Sequence, residues 1–205
     1  MASVMSIIGG GWSFSQIDHS KVPGYVITCN DAFKYFQGNI HCAITMDRLW
    51  TEYRWDDLKK LGKPFFARRS ALQNIPDWKE QNWVHMFDND HKSVTFSDDV
   101  FTLNGTHTGA CALNLAYQHR PRELYLFGFD MQRGPQGQPY WYPSYPWSPS
   151  GATKPAKYVA WGFEFEAIAK QMKSIGIQTY LVSNRSLIKS FDVIDVSKYS
   201  RAMAS

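Results

Sequence analysis

The sequence predicts an α/β fold: a mainly parallel sheet with helices on both faces. Three observations carry that expectation. Short apolar runs alternate with helix-length segments, most of the runs end at Gly, Asn or Asp, and the first leads directly into Gly9-Gly10-Gly11. With 44% apolar side chains, the 205 residues can fill the core of one domain, so residues 1–205 are expected to fold as a single unit.

Taken in order, Val4–Ile8 reads as a buried strand stopped by the glycine turn. Tyr25–Cys29 (YVITC) is a second strand, ending at Asn30-Asp31, and Cys42–Met46 (CAITM) a third, ending at Asp47. Asp47 then caps a helix that runs to Leu61 and stops at Gly62. Pro64–Ala67 (PFFA) is a fourth strand. Between Trp78 and Asn104 the pieces VHMF, SVTF and VFTL are short and alternating, which fits small strands or an irregular insertion. Thr106 opens a helix whose Gly109, Ala110, Ala112 and Ala116 allow close packing on a sheet. Glu123–Phe127 (ELYLF) is a strand ending at Gly128-Phe129-Asp130. Residues 131–157 hold six of the ten prolines together with Tyr140, Trp141, Tyr142, Tyr145 and Trp147. Such a segment cannot be a regular helix or central strand, and its length is that of a lid, a binding loop or a disordered stretch. A helix over Tyr158–Ile175, a strand over Gln178–Val182 and a short closing helix over Ser186–Phe191 complete a Rossmann-like order. Ligands in such sheets sit beyond the carboxyl ends of the strands. Gly9-Gly10-Gly11, Asn30-Asp31, Asp47 and Asp130 all follow strands and are expected along that one edge.

A formal charge of +4, with no basic block longer than Arg68-Arg69, gives no sign of a nucleic-acid surface. Cys29, Cys42 and Cys111 are widely spaced, in neither CxxC nor Cys/His zinc patterns, and read as reduced buried thiols of a cytoplasmic protein. No apolar run approaches the ~20 residues of a membrane helix.

Three motifs carry chemistry. At the first turn, glycines let backbone N–H groups approach a phosphate, and the Ser13 hydroxyl is placed to add to them; an ordinary tight turn would look the same. The turn is neither GxGxxG nor a P-loop, since no Lys follows. Around Asn104–Gly109, Thr108 and Gly109 sit where free N–H groups at a helix start attract anions, with Thr106 or Asn104 as the plain capping residue. His107 is the histidine inside this candidate site and a candidate base. Asp88-Asn89-Asp90 has the DxD spacing that holds a divalent cation against a diphosphate, and equally the composition of a polar turn. The aromatic-proline segment is suited to stacking on a sugar or base, to packing on the body, or to a homo-oligomer contact.

With these residues in place, the chain resembles the bacterial sialyltransferases that use CMP-sialic acid and the related pterin-diphosphokinase-like proteins. The matching pieces are IIGGGWSFSQID, VITCN, TGACALNLAYQHRPRELYLFGFD and IQTYLVSNRSLI, in the right order over most of the chain. The resemblance implies CMP held by Gly9, Gly11, Ser13, Asn30, Thr108 and Gly109, with Tyr140 from the lid on the phosphate and Gln132 near the place of a second lid tyrosine. The chain departs from the family by having Gly10 where the family has Asn. It departs again by having Lys157, Tyr158 and Val159 where the family's general-base histidine precedes the penultimate helix. His107 and Asp130 are the replacement candidates. Three functions follow: a glycosyltransferase using a nucleotide-activated sugar such as a CMP-sugar; a diphosphokinase-like transferase needing Mg²⁺ on Asp47, Asp88, Asp90 or Asp130; and a nucleotide-binding protein without catalysis. The acceptor is left open by the sequence.

Overall fold

A computed structural model describes residues 3–93, 95–148 and 153–202. Its centre is one eight-stranded sheet, parallel throughout: β1 (Val4–Ile8), β2 (Tyr25–Cys29), β3 (Cys42–Thr45), β4 (Phe65–Arg68), β5 (Val84–Phe87), β6 (Glu123–Phe127), β7 (Gln178–Val182) and β8 (Asp192–Ile194). The order across the sheet is β5-β4-β3-β2-β1-β6-β7-β8. This is a Rossmann-like α/β fold, as the alternation predicts.

The chain winds outward from β1 to β5, then returns to lay β6 against the other side of β1. A fixed crossover hand puts the connecting helices on opposite faces once the winding direction reverses. Accordingly α1 (Ala32–Tyr35) and α2 (Arg48–Leu61) lie on one face, while α3 (Thr108–His119) and α4 (Pro155–Ser174) lie on the other. The strands sort their side chains with period two: Met5 and Ile7 enter the core under α3 and α4, and Ile8 enters the core with Trp50 and Leu58 of α2. Buried on both faces, the central strands read as unbroken apolar runs.

The predicted signals hold at several termini. Asp47 caps α2 by accepting the Trp50 N–H at 3.1 Å, and Gly62 ends it in the left-handed region at φ +59°. Ala110, Ala112 and Ala116 of α3 are fully buried against the sheet. VHMF forms β5, whereas VFTL supplies only a bridge from Thr102 to Asp88; SVTF includes Val94, which lies outside the described residues.

The expected helix over Ser186–Phe191 is absent. Ser183 Oγ accepts the N–H groups of Arg185 (3.1 Å) and Ser186 (3.0 Å), and Ser186 Oγ accepts that of Ile188 (3.1 Å). These side-chain bonds replace the helical ladder with turns. Beyond them come β8 and α5 (Val196–Ala202), which the sequence reading did not foresee. Among the described residues no helix is long and apolar enough to cross a membrane.

Candidate functional site

The winding reverses between β1 and β6, and the crevice beyond their carboxyl ends is where ligands enter such sheets. A cleft with some 780 Å³ of open space lies there. Gly9, Gly10, Gly11, Asn30, His107, Thr108, Gly109, Asp130 and Tyr140 all line it, together with Gln132 from the loop after β6. Ser13 and Asp47 do not.

The glycine turn is clamped from both sides. Gly9 N–H donates to the Phe127 carbonyl (2.8 Å) and Gly11 N–H to the Gly128 carbonyl (2.7 Å), stitching the turn to the end of β6. A Cβ on either glycine would stand 2.7 Å from the Gly128 oxygen. On the other side Trp141 donates its backbone N–H to Gly10 O (3.0 Å) and its indole N–H to Gly9 O (2.9 Å). Two of the three glycine N–H groups are thus spent within the turn, and the Gly10 N–H has no partner among the described residues. The expected cradle of several amides is reduced here to one.

Ser13 is a correction. Its N–H and hydroxyl both donate to the Asp130 carboxylate, at 2.7 and 2.5 Å, and the side chain is fully buried. It fastens the turn to Asp130 rather than facing a ligand. Asp130 also accepts the Ser183 hydroxyl at 3.0 Å. Of a carboxylate's roughly four lone-pair sites, three are occupied. Among the described residues Asp130 is the sole carboxylate lining the cleft. Asp47 is likewise committed elsewhere, as the cap of α2.

Opposite the turn stands the start of α3. The amides of Thr108 and Gly109 belong to the first turn, where no intrahelical acceptor exists, and both residues line the cleft. Thr108 Oγ1 accepts the Met46 N–H (3.2 Å), tying α3 to the end of β3. Asn30, at φ +49°, closes β2; its Oδ1 accepts the Thr45 hydroxyl at 2.7 Å, and its amide N–H groups have no partner among the described residues.

The cap of α3 is His107, not Thr106 or Asn104. Its Nδ1 accepts the Ala110 N–H at 3.3 Å. Thr106 instead donates its N–H and hydroxyl to Glu164 of α4, at 2.8 and 2.5 Å. The His107 ring lies between Trp161 and Phe165, with centroids 4.4 and 5.4 Å away. Burial pushes its pKa down to about 3. The ring is therefore neutral, with Nδ1 accepting and the proton on Nε2, which lies 3.7 Å from Glu164 Oε2 and has no hydrogen-bond partner among the described residues. In that tautomer Nδ1 is engaged by the Ala110 N–H and Nε2 carries the proton, so neither nitrogen offers a free lone pair.

The aromatic segment is docked rather than free. Tyr142 stacks on Tyr35 of α1 (5.7 Å), Tyr145 on Trp147 (5.0 Å), and Trp147 meets Tyr53 of α2 edge-on (4.9 Å). Most of its rings pack on the body. Tyr140 and Tyr142 reach the cleft, and burial pushes the Tyr140 phenol up to about 12, so it remains a donor at neutral pH. Residues 149–152 of the segment lie outside the described residues. Lys157, Tyr158 and Val159 fall inside α4, which begins at Pro155, and Tyr158 lines the cleft.

The DxD spacing serves the fold. Asp88 takes both Nε and Nη2 of Arg69, at 2.6 and 2.7 Å. Asn89 donates inward to the carbonyls of Leu103 and Gly105, and Asp90 accepts the Lys92 N–H. Among the described residues no three His, Cys, Asp or Glu side chains gather as a metal site. Cys29, Cys42 and Cys111 are free and buried, and burial raises each thiol's pKa. Trp161, a cleft residue that sequence reasoning missed, had no local signal, because an aromatic on a helix reads as core.

No family model matches the chain, and no curated protein matches it. Its fold is similar to that of the sialyltransferase CstII solved with a trisaccharide acceptor and CMP: the TM-score is 0.54 at 16% identity, covering 93% of this chain and 85% of that one. A tyrosine-to-phenylalanine variant of CstII in complex with CMP gives 0.52 at 17% identity, over 95% and 86%. CstII from Campylobacter jejuni in complex with a substrate analogue, cytidine-5'-monophosphate, gives 0.54 at 16%, over 94% and 84%. What the chain shares with these enzymes at such identity is their fold.

Proposed function

We propose that the cleft binds CMP as part of a CMP-activated sugar and that the protein transfers the sugar to an acceptor hydroxyl. One observation carries the reading: at the winding reversal, the unspent N–H groups of Gly10, Thr108 and Gly109 converge with the Tyr140 phenol and the Asn30 amide around one cleft. Neutral donors and a helix N-terminus converging in this way suit a phosphate oxygen. The solved structures of similar fold hold CMP.

In the reaction the acceptor oxygen attacks the anomeric carbon and a glycosidic C–O bond forms. The bond from that carbon to the phosphate oxygen breaks, and its electron pair leaves on CMP. Donors fixed in advance around the departing phosphate lower the barrier without reorganisation. The acceptor proton goes to Asp130, through its remaining lone pair.

A second reading, binding without catalysis, is favoured by one observation: the neutral, capped His107 and the thrice-bonded Asp130 leave the cleft little basic capacity. Calorimetric titration with CMP, CDP, UDP, GDP and ADP, with and without Mg²⁺, tests the site. Selective CMP binding without metal is expected. A requirement for a diphosphate with Mg²⁺ would shift the reading to a diphosphokinase-like transferase, and no binding at all would overturn the nucleotide site. Hydrolysis of a CMP-sugar at high protein concentration then separates transferase from binder.

A further inference from the structure

A second groove opens beside the nucleotide cleft, with some 680 Å³ of open space between α4 and the loop at Leu187–Lys189. Met131 and Tyr158 line both spaces, so the two adjoin across these side chains. On α4, residues 159, 162, 163 and 166 form one stripe at helical spacing, opposite the buried stripe of Phe165, Ile168 and Met172. Val159 is 64% exposed, Phe163 69%, and Leu187 across from them 58%. Apolar side chains exposed singly need no explanation, but three around one groove mark a binding surface.

Gly162, on the groove wall, is the independent observation. A glycine inside a 20-residue helix costs about 1 kcal/mol relative to alanine. At Gly9, Gly11 and Gly109 an added Cβ would meet another atom within 2.9 Å, which accounts for those glycines. At Gly162 it would meet nothing within 4 Å. Packing within the chain does not explain this glycine, and its missing side chain leaves the groove wall open at that point.

Resting on the transferase reading, we infer that this groove is the acceptor subsite and that it takes an acceptor with an apolar aglycone. The groove's charged groups, Glu166 and Lys189, are few beside its apolar wall, so it offers little to hydrogen-bond a bare sugar and much to cover a ring or alkyl chain. The acceptor hydroxyl would enter the cleft past Tyr158 and Met131. A second copy of this chain seated on the groove would instead obstruct that passage.

The test uses full-length protein saturated with CMP and titrated with 4-nitrophenyl β-D-galactopyranoside and with methyl β-D-galactopyranoside. The aryl glycoside is expected to bind roughly tenfold tighter, from burial of its ring. Gly162→Leu fills the groove and favours the helix; it should keep CMP affinity and raise the unfolding midpoint slightly while abolishing the aryl preference. Equal binding of the two glycosides with CMP bound normally would overturn the subsite and leave the nucleotide reading standing. Failure of CMP itself to bind would overturn both. Sedimentation of wild type and Gly162→Leu gives the remaining outcome: a dimer that the variant dissociates would make the groove a self-contact and overturn the proposal.

Discussion

Two adjacent glycines are held by different neighbours, and their alanine variants should fail differently. At Gly11 a Cβ would stand 2.7 Å from the Gly128 carbonyl oxygen and 2.9 Å from the Asp130 carboxyl carbon, both fixed by the β1–β6 junction. Gly11→Ala is expected to lose about 2 kcal/mol of stability, as overpacking against backbone does. At Gly10 the new methyl would meet Tyr140 Cδ1 at 2.9 Å and Tyr142 Oη at 3.1 Å, which are side chains that can give way. Gly10→Ala should therefore stay folded and lose roughly tenfold in CMP affinity, about 1.4 kcal/mol, as Tyr140 is displaced. Urea unfolding and calorimetry on the two variants separate the effects, and a pattern the other way round would refute this account of the turn. His107 makes a pH prediction. Its folded pKa of about 3 lies below the ordinary 6.5, so below pH 6.5 the unfolded chain binds the proton and the folded chain does not. Stability from this group is complete above pH 6.5 and falls as pH drops, by about 1.4 kcal/mol per unit at most. Asn at position 107 keeps an acceptor for the Ala110 N–H but does not titrate. Between pH 6.5 and 5 wild type should lose up to about 2 kcal/mol more than His107→Asn; parallel losses would show that the ring is not buried in this way.

Among the elements, the docked aromatic segment does more for the site than a cover would. Trp141 bonds two of the three glycine carbonyls, so the loop and the turn are one unit. Trp141→Phe retains a ring against Phe14 but removes the indole N–H from Gly9 O. It should weaken CMP several-fold and speed proteolysis within 131–148, with the global unfolding midpoint shifting by no more than about 1 kcal/mol. Unchanged cleavage would mean that Tyr142 and Tyr145 hold the segment unaided. The same segment shows what the sequence could and could not reveal. Its prolines excluded regular structure, but no local pattern said which rings would face the cleft, since that depends on Tyr35, Tyr53 and Phe14 from distant parts of the chain. The strands, the capping of α2 and the small-residue face of α3 were legible because each is set by local chemistry. Ser13 was misread because its partner, Asp130, is 117 residues away. The Ser186–Phe191 helix was misread because Ser183 and Ser186 satisfy the backbone themselves, and β8 escaped notice because three residues on a sheet edge carry too little periodicity.

At the scale of the molecule, one buried ion pair joins the parts that surround the site. Asp31, fully buried just after Asn30, accepts Arg54 Nε (2.8 Å), Arg54 Nη2 (2.5 Å) and the Trp50 indole N–H (2.7 Å). Arg54 Nη1 continues to Asp57 (3.2 Å), which Lys34 of α1 also meets at 2.8 Å. Arg54 lies over the Tyr53 ring (4.4 Å), which meets Trp147 of the loop edge-on (4.9 Å), so the loop over the cleft rests against the same pair, and Asp31 holds the Arg54 pKa above its ordinary value. Replacing such a pair with apolar groups is often near neutral, but removing one partner leaves a buried charge. Asp31→Asn should thus cost about 3–5 kcal/mol, a large share of the 5–15 kcal/mol typical of a folded domain. Asp31→Asn with Arg54→Met should recover most of that loss. Because the pair links β2, α1, α2 and the 140–147 loop, the loss should appear in one transition. Tryptophan fluorescence, which includes Trp141 and Trp147 of the loop, should move with the far-ultraviolet signal of the sheet and helices. Coincident transitions in wild type and a shared shift in Asp31→Asn would support the proposal that residues 1–205 form a single domain. A fluorescence transition that separates from the backbone signal in the variant would show the loop to be an independent unit, and the ion pair to be its hinge rather than its anchor.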